Sequence, residues 1–398
     1  MKPIIEYCPD SQKIKNGIGR ELTQSVLADI CRRITGQSDF KIREISHSYN
    51  MGRLVTVSFC GRKTYVTLSE SSLMGRNSSI QSVPTALNIF CADATQDKEL
   101  CYYFLEHKGN AFTEYHIFMY RLMVTAGIRF LNVEEHFGQG ILPFHNVDEL
   151  IEAKRILRQS KTGNNSSFVT RSARGVQVYA KVYGASKYES TLLAYATSCI
   201  SPNPVDLYNI CEQNLQTLPK SSLKTLEALN IRVHNTNLFF DANHQGELQN
   251  EDLRASAYIY NLLKRLGDKK CALCDCCVPE IIQGAHIWSV SSIKSSNLQP
   301  KAKFMAATNG SNGLWLCQNH HKLFDANLLF ITDTGEVKAS QDLTDDGLRY
   351  VKSITRNTFI DKVLMNEDFR QYLHFRNNRL ELTKCVDISS ALAGVTEL

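Results

Sequence analysis

The side chains able to do chemistry collect late in the chain. Cys271-Ala272-Leu273-Cys274 sets two thiols at C-x₂-C spacing, and Cys317-Gln318-Asn319-His320 sets a thiol and an imidazole at the same spacing. Zinc takes four sulfur and nitrogen donors at tetrahedral corners, and two such knuckles supply them. In a small module the binding free energy of the ion becomes folding free energy. Cys274 and Cys277 also stand at C-x₂-C spacing, so spacing alone leaves the first knuckle open between two pairs. His286 offers an imidazole that can take a proton near neutral pH. His321 and Asp325 lie four apart, which on a helix puts them on one face, about one turn apart. That is a workable ligand pair for one divalent cation.

These residues fall within four motifs in fixed order: Cys271–Cys274, Gly284-Ala285-His286-Ile287, Asn312-Gly313-Leu314-Trp315-Leu316-Cys317, and Gln318 through Asp325 (QNHHKLFD). The set resembles the HNH nucleases, also called ββα-metal nucleases, in the subgroup that reads CxxC, AHI, NGLxLC and HxLFD. The likeness continues into Leu328–Ile331 and Val337–Ser340, which look like the hairpin following the motif, and into Gln371–Arg376, which looks like the closing helix. It covers roughly residues 252–382, about a third of the chain.

The resemblance implies a division of labour. Cys271 and Cys274 match the family spacing to His286, which favours them over Cys277 and leaves Cys276 and Cys277 spare. With Cys317 and His320 they would hold a structural Zn²⁺. His286 would be the general base at a strand end. His321 would be the closing histidine and a ligand of the catalytic cation, with Asp325 a second ligand one turn later. Asn312 would orient the loop carrying the base, and Asn309 is a less well spaced competitor. Many members carry Asp or His just before the base, where this chain has Ala285. The cation then keeps two protein ligands and more water or phosphate oxygen, which suits Mg²⁺ or Mn²⁺.

Positioning elements can be read around these motifs. Leu253, Ala257, Leu262, Leu263 and Leu266 predict a helix from an Asn250 cap to a Gly267 stop. The polar stretch Asp241–Asn250 suggests a boundary near residue 246, giving domains 1–245 and 246–398. Asp345–Leu382 looks mainly helical. Earlier, the spacing of Leu22, Val26, Leu27, Ile30 and Ile34 predicts a helix from Gly19 to Ile34, and Leu54–Cys60 with Thr64–Leu68 alternates like paired strands about Gly61-Arg62. Glu114–Phe130 reads as a buried helix, Ser160–Gly175 as a polar loop, Val176–Val182 as a strand, and Leu192–Ala196 as the start of another helix. The fold class is therefore α+β: an N-terminal mixed α/β recognition or sensor domain followed by a zinc-stapled ββα-metal domain with C-terminal helices.

Composition limits the rest. The chain has 398 residues, 43% hydrophobic and 21% charged, with net charge +5 and 13 cysteines. That is a globular composition of two or three domains, with any basic patch local. No apolar run reaches membrane-spanning length, and the first residues lack a signal peptide, so a cytoplasmic protein is expected. Arg171, Arg174, Lys181 and Lys187 are the candidate DNA contacts of the N-terminal part. Lys294, with Lys301 and Lys303, is the candidate in the nuclease part. Double-stranded DNA is the expected partner. The closest functional picture is a type II restriction enzyme, acting as a homodimer on a palindromic site. Its rivals are a modification-dependent or signal-activated defence nuclease, a homing-type nuclease, and a non-catalytic zinc-containing DNA-binding protein.

Overall fold

The computed structural model describes residues 1–8, 22–45, 53–68, 78–105, 113–159, 167–172, 175–181, 186–211, 218–237, 251–378, 380 and 384–388. The chain divides into two compact units. The first takes Met1–Val169, Arg174–Asn209 and Leu215–His234; the second takes Thr170–Ala173, Ile210–Asn214 and Asn235–Leu398.

The first unit opens with β1 (Ile4–Tyr7), α1 (Gln24–Thr35), β2 (Lys41–Glu44), β3 (Leu54–Phe59) and β4 (Arg62–Leu68). It continues through α2 (Ser78–Ala92), β5 (Lys98–Tyr103), α3 (Glu114–Thr125), β6 (Arg129–Phe130), α4 (Val133–Phe137) and α5 (Val147–Gln159). The strands form a six-stranded sheet in the order β2-β1-β3-β4-β5-β6. Alternation along each strand divides its residues between two cores. Leu54, Tyr65, Leu100 and Tyr102 point to one face, against α2 and α3, while Val55, Val66, Cys101 and Tyr103 point to the other, against α1. The predicted hairpin is β3–β4. Its turn residues Cys60 and Gly61 have φ of 49° and 83°, the positive pair that a two-residue hairpin turn demands.

A four-stranded sheet follows, in the order β10-β9-β8-β7. It is built from β7 (Ser167–Ser172), β8 (Gly175–Lys181), β9 (Val205–Cys211) and β10 (Arg232–Asn237), with α6 (Ser186–Ile200) and α7 (Lys220–Ala228) between strands. Two expectations need correction here. Glu114–Phe130 is not one helix: α3 stops at Thr125, Gly127 turns the chain at φ 82°, and Arg129–Phe130 pairs with β5. Ser160–Gly175 is not all loop either, because β7 occupies its second half. Phe168 and Val169 are buried there, and pairing with β8 overrides the polar local composition. The N-terminal part of the predicted Gly19–Ile34 helix and all of Asp241–Asn250 lie outside the described residues.

The second unit starts with α8 (Glu251–Leu266), stopped by Gly267 at φ 80°. Next come β11 (Ile282–His286), α9 (Val290–Ser295), α10 (Pro300–Thr308), β12 (Gly313–Cys317) and α11 (Gln318–Asp325). β11 and β12 pair antiparallel with His286 opposite Gly313, and α11 starts directly from β12, so the three elements make a ββα unit. β13 (Leu329–Ile331) and β14 (Val337–Ser340) form the expected hairpin. α12 (Asp345–Ile354) and α13 (Glu367–Asn377) are separated by a largely non-helical stretch, and β15 (Cys385–Asp387) closes the sheet on β14. No helix among the described residues is long and apolar enough to cross a membrane.

Candidate active site and metal cluster

The two knuckles meet. One ligand atom each from Cys271, Cys274, Cys317 and His320 lies within 4.8 Å of all the others. Cys276 and Cys277 are outside this group, and the Cys276 carbonyl instead accepts the Cys271 amide at 2.9 Å. The His320 Nδ1 faces the Cys317 and Cys271 sulfurs at 3.2 and 3.5 Å, and its Nε2 meets the Thr355 hydroxyl at 3.2 Å. With Nδ1 turned to the sulfurs, Thr355 takes the Nε2 proton and fixes the tautomer a metal ligand needs. Burial, followed by the crowding of neighbouring thiols, pushes the Cys274 thiol up to about 12. Packed thiols of this kind are costly to ionise unless a cation takes the thiolates. The donor set of three sulfurs and one imidazole, drawn from a loop, the end of β12 and the first turn of α11, fits zinc and could hold it.

The base candidate is held by α8. Gly284 and Gly313 lie on the face of the β11–β12 hairpin against that helix. A Cβ on Gly313 would come 1.9 Å from the Tyr258 hydroxyl oxygen, and one on Gly284 would come 2.5 Å from Leu262. The two glycines of the GAHI and NGLWLC motifs therefore make room for Tyr258. Its ring stacks on His286 at 3.8 Å between centroids, and its hydroxyl donates to the Ala285 carbonyl at 3.0 Å. The His286 Nε2 lies 2.9 Å from the Ala307 carbonyl. A carbonyl only accepts, so Nε2 carries the proton and Nδ1 keeps the free lone pair. Burial is the main cause that pulls the His286 pKa below its ordinary value, which keeps the ring neutral and able to accept.

Asn312 is fully buried, with all its side-chain hydrogen-bonding groups engaged. Its Nδ2 donates to the Trp288 and Ala306 carbonyls at 3.1 and 3.0 Å, and its Oδ1 accepts the Trp288 amide at 2.8 Å. It thus joins the segment after His286 to the segment whose next carbonyl, Ala307, sets the His286 tautomer. Asn309, the competitor, caps the following turn through the Ser311 amide at 2.8 Å.

His321 and Asp325 lie on α11 as spaced, with Nε2 and Oδ2 3.3 Å apart. The His321 Nδ1 lies 2.9 Å from the Gln283 side-chain oxygen on β11, to which it donates. The lone pair on Nε2 then faces the carboxylate. Adjacent ligands of an octahedral cation with bonds of about 2.1 Å stand about 3 Å apart, so the pair is set for a shared ion. Both residues line one cleft of about 560 Å³ with His286, Trp288, Ser289 to Ser292, Asn327 and Arg376. A second cleft, of about 480 Å³, shares His286 and His321 and is lined further by Tyr258, Lys269 and the exposed Lys294. Lys303 is not part of its lining; its Nζ donates to the Lys294 carbonyl at 2.7 Å.

Residues 271–332 match the family model of the HNH endonucleases. Among curated proteins none matches the chain. An HNH endonuclease domain supports a nuclease, with DNA as the implied substrate. The match starts at the first knuckle and ends just after β13, so α8 and α13, which supply Tyr258 and Arg376, lie outside it.

Arg171 and Lys181 are not among the residues that line these clefts. Arg171 is on β7 and Lys181 ends β8, both partly buried and engaged with neighbours. Arg174 and the side chain of Lys187 lie outside what is described. Tyr258, Gln283 and Thr355 are the positioning residues that sequence reasoning missed. None has a type that announces chemistry, and each is found only by what it touches.

Proposed function

We propose that the chain is a DNA endonuclease that hydrolyses phosphodiester bonds by a one-cation HNH mechanism. The observation that carries this reading is the convergence of His286, His321 and Asp325 on one cleft, with the proton of His286 turned away to Ala307. In this reading His286 Nδ1 takes a proton from water as the water oxygen bonds to phosphorus and the P–O bond to the leaving oxygen breaks. His321 and Asp325 would hold Mg²⁺ or Mn²⁺, which when bound supplies charge stabilisation on the phosphate and leaving oxygen. Asn312 holds the base-bearing segment in place. Cys271, Cys274, Cys317 and His320 keep a structural zinc that takes no part in the chemistry.

Residues 1–245 would supply recognition, with Arg171, Arg174, Lys181 and Lys187 as the candidate contacts and Lys294 contacting phosphate beside the cleft. The picture that suits these parts is a type II restriction enzyme, dimeric on a palindromic site and working in the cytoplasm. The deciding experiment is digestion of unmethylated and fully methylated phage DNA with Mg²⁺, with His286→Ala alongside. Discrete bands from unmethylated DNA, absent in the variant, are expected. Cutting of modified DNA alone would make the first unit a modification sensor. Cutting by His286→Ala at the wild-type rate would sink the assignment of the base.

A further inference from the structure

Arg376 stands on α13, beyond the residues that match the HNH family. Its side chain is only 9% exposed, yet it lines the cleft beside His286, His321 and Asp325. One terminal nitrogen donates to the Phe324 carbonyl and, at 2.7 Å, to the Asn327 side-chain oxygen. The other donates to the Ile287 carbonyl at 3.3 Å. The guanidinium carbon stands over the Phe324 ring, 3.8 Å from its centroid. Ile287 follows His286 in the chain, and Phe324 precedes Asp325. A single rigid plane therefore spans the backbone next to the base and the backbone next to a cation-side carboxylate.

Two features set this arginine apart from an ordinary helix tie. Among the described residues its hydrogen-bond acceptors are all neutral, and the Asp325 carboxylate acts on it only through space. Its Nε–H is buried without a partner, as is the Trp288 Nε1–H in the wall of the same cleft. Burying a cation in this way costs stability, which a role in the site would account for. A planar fork that meets three acceptors in fixed directions also does what a lysine ammonium cannot.

We propose that Arg376 is a positioning residue of the nuclease site, whose three-way clamp holds His286 and Asp325 at their working separation. This rests on the nuclease reading above. Misplacement of reacting groups by about 1 Å is worth about 100-fold in rate. Arg376→Gln and Arg376→Lys are therefore both expected to lower kcat by about 100-fold, with KM changed less than about threefold and zinc content and Tm retained. Methylguanidinium should restore several-fold of the rate lost in Arg376→Ala, and none of that lost in His286→Ala.

Wild-type cutting by Arg376→Gln would overturn the proposal. So would near wild-type cutting by Arg376→Lys, which would mean that charge alone suffices, or a loss confined to KM, which would make Arg376 a plain DNA contact. Loss of zinc and of folded structure in both variants would assign it to the fold and also overturn the clamp. A readout independent of cutting keeps the two readings apart. The His286 Nε2 proton, held by Ala307, should exchange slowly in ¹⁵N-histidine NMR of the wild type and faster in Arg376→Gln. Unchanged exchange would overturn the clamp, whereas failure of the wild type to cut any DNA would bear on the nuclease reading.

Discussion

Lys154 in the first unit and Arg376 in the second are both buried cations, and their surroundings treat them in opposite ways. Lys154 meets Glu189 at 3.2 Å, and Glu189, 1% exposed, also accepts the Tyr115 hydroxyl at 2.7 Å and the Ser167 hydroxyl at 2.8 Å. Charge cancels there inside a large aromatic and aliphatic core. Arg376 has only neutral acceptors and borders a cleft. A neutralised buried pair fixes an arrangement of elements and has nothing left to offer a ligand. A charge with no bonded carboxylate, which Asp325 reaches only through space, keeps part of its field available to whatever enters the cleft. The first network is read as architecture and the second as part of a site.

The same contrast extends to what holds each unit together. Two extended apolar cores fill the first. Around the cleft of the second, the apolar packing is a small cluster of Trp288, Ile293, Ala306 and Ala307, supported by Tyr372 and Phe375. Elsewhere the second unit buries further apolar residues, among them Leu262, Leu316, Phe324 and Phe369, and polar ties and the Cys/His cluster add to them. The largest predicted effect follows. Stripping metal with a chelator, or Cys271→Ser, should unfold the second unit, since structural zinc sites contribute on the order of 10 kcal/mol. The first unit should keep its own transition. Calorimetry that shows one unchanged transition after zinc removal would break the comparison.

Next in size is the paired charge. Glu189→Leu alone should cost about 3–5 kcal/mol in the first transition because it strands Lys154. Combined with Lys154→Met the cost should fall to about 1 kcal/mol or less, and kcat on DNA should stay put in both. Arg376→Gln should show the reverse pattern, with activity lost and stability kept. If Glu189→Leu silences cutting while the protein stays folded, the architectural reading of that network is wrong. Asn312→Ala falls between the two. It removes three hydrogen bonds that tie the base-bearing segment, so a loss of about 2–4 kcal/mol from the second transition is expected, along with a fall in kcat.

How far the sequence carried the site depended on how local each signal was. Cys271, Cys274, Cys317 and His320 were legible because metal geometry imposes short, regular spacings on the chain, and the structure gathers those donors together. His321 and Asp325 were legible as an i, i+4 pair because one helical turn sets that spacing. Tyr258, Gln283, Thr355 and Arg376 were not, because each reaches its partner across the fold and its chemistry is ordinary. Gly284 and Gly313 were visible as motif letters, but the reason for them, the Tyr258 ring, was not. In the first unit, β7 was hidden for a related reason: its burial comes from the sheet it joins, while its own flanks read as loop.

The smallest predicted effect is also the most direct test of the base. Burial pulls the His286 pKa below its ordinary value of 6.5. Nδ1 must be unprotonated to accept from water, so kcat/KM should be flat above about pH 6.5 and fall as pH drops through the lowered value. Stability carries the same sign. The unfolded ring binds its proton at higher pH than the folded one, so the contribution is complete above about pH 6.5 and is lost as pH falls through the folded pKa. A bound cation near His321 repels the same proton and moves the limb in the same direction. An acid limb centred above 6.5 would break the assignment, because the required base would then titrate above the ordinary imidazole value whereas burial holds His286 below it.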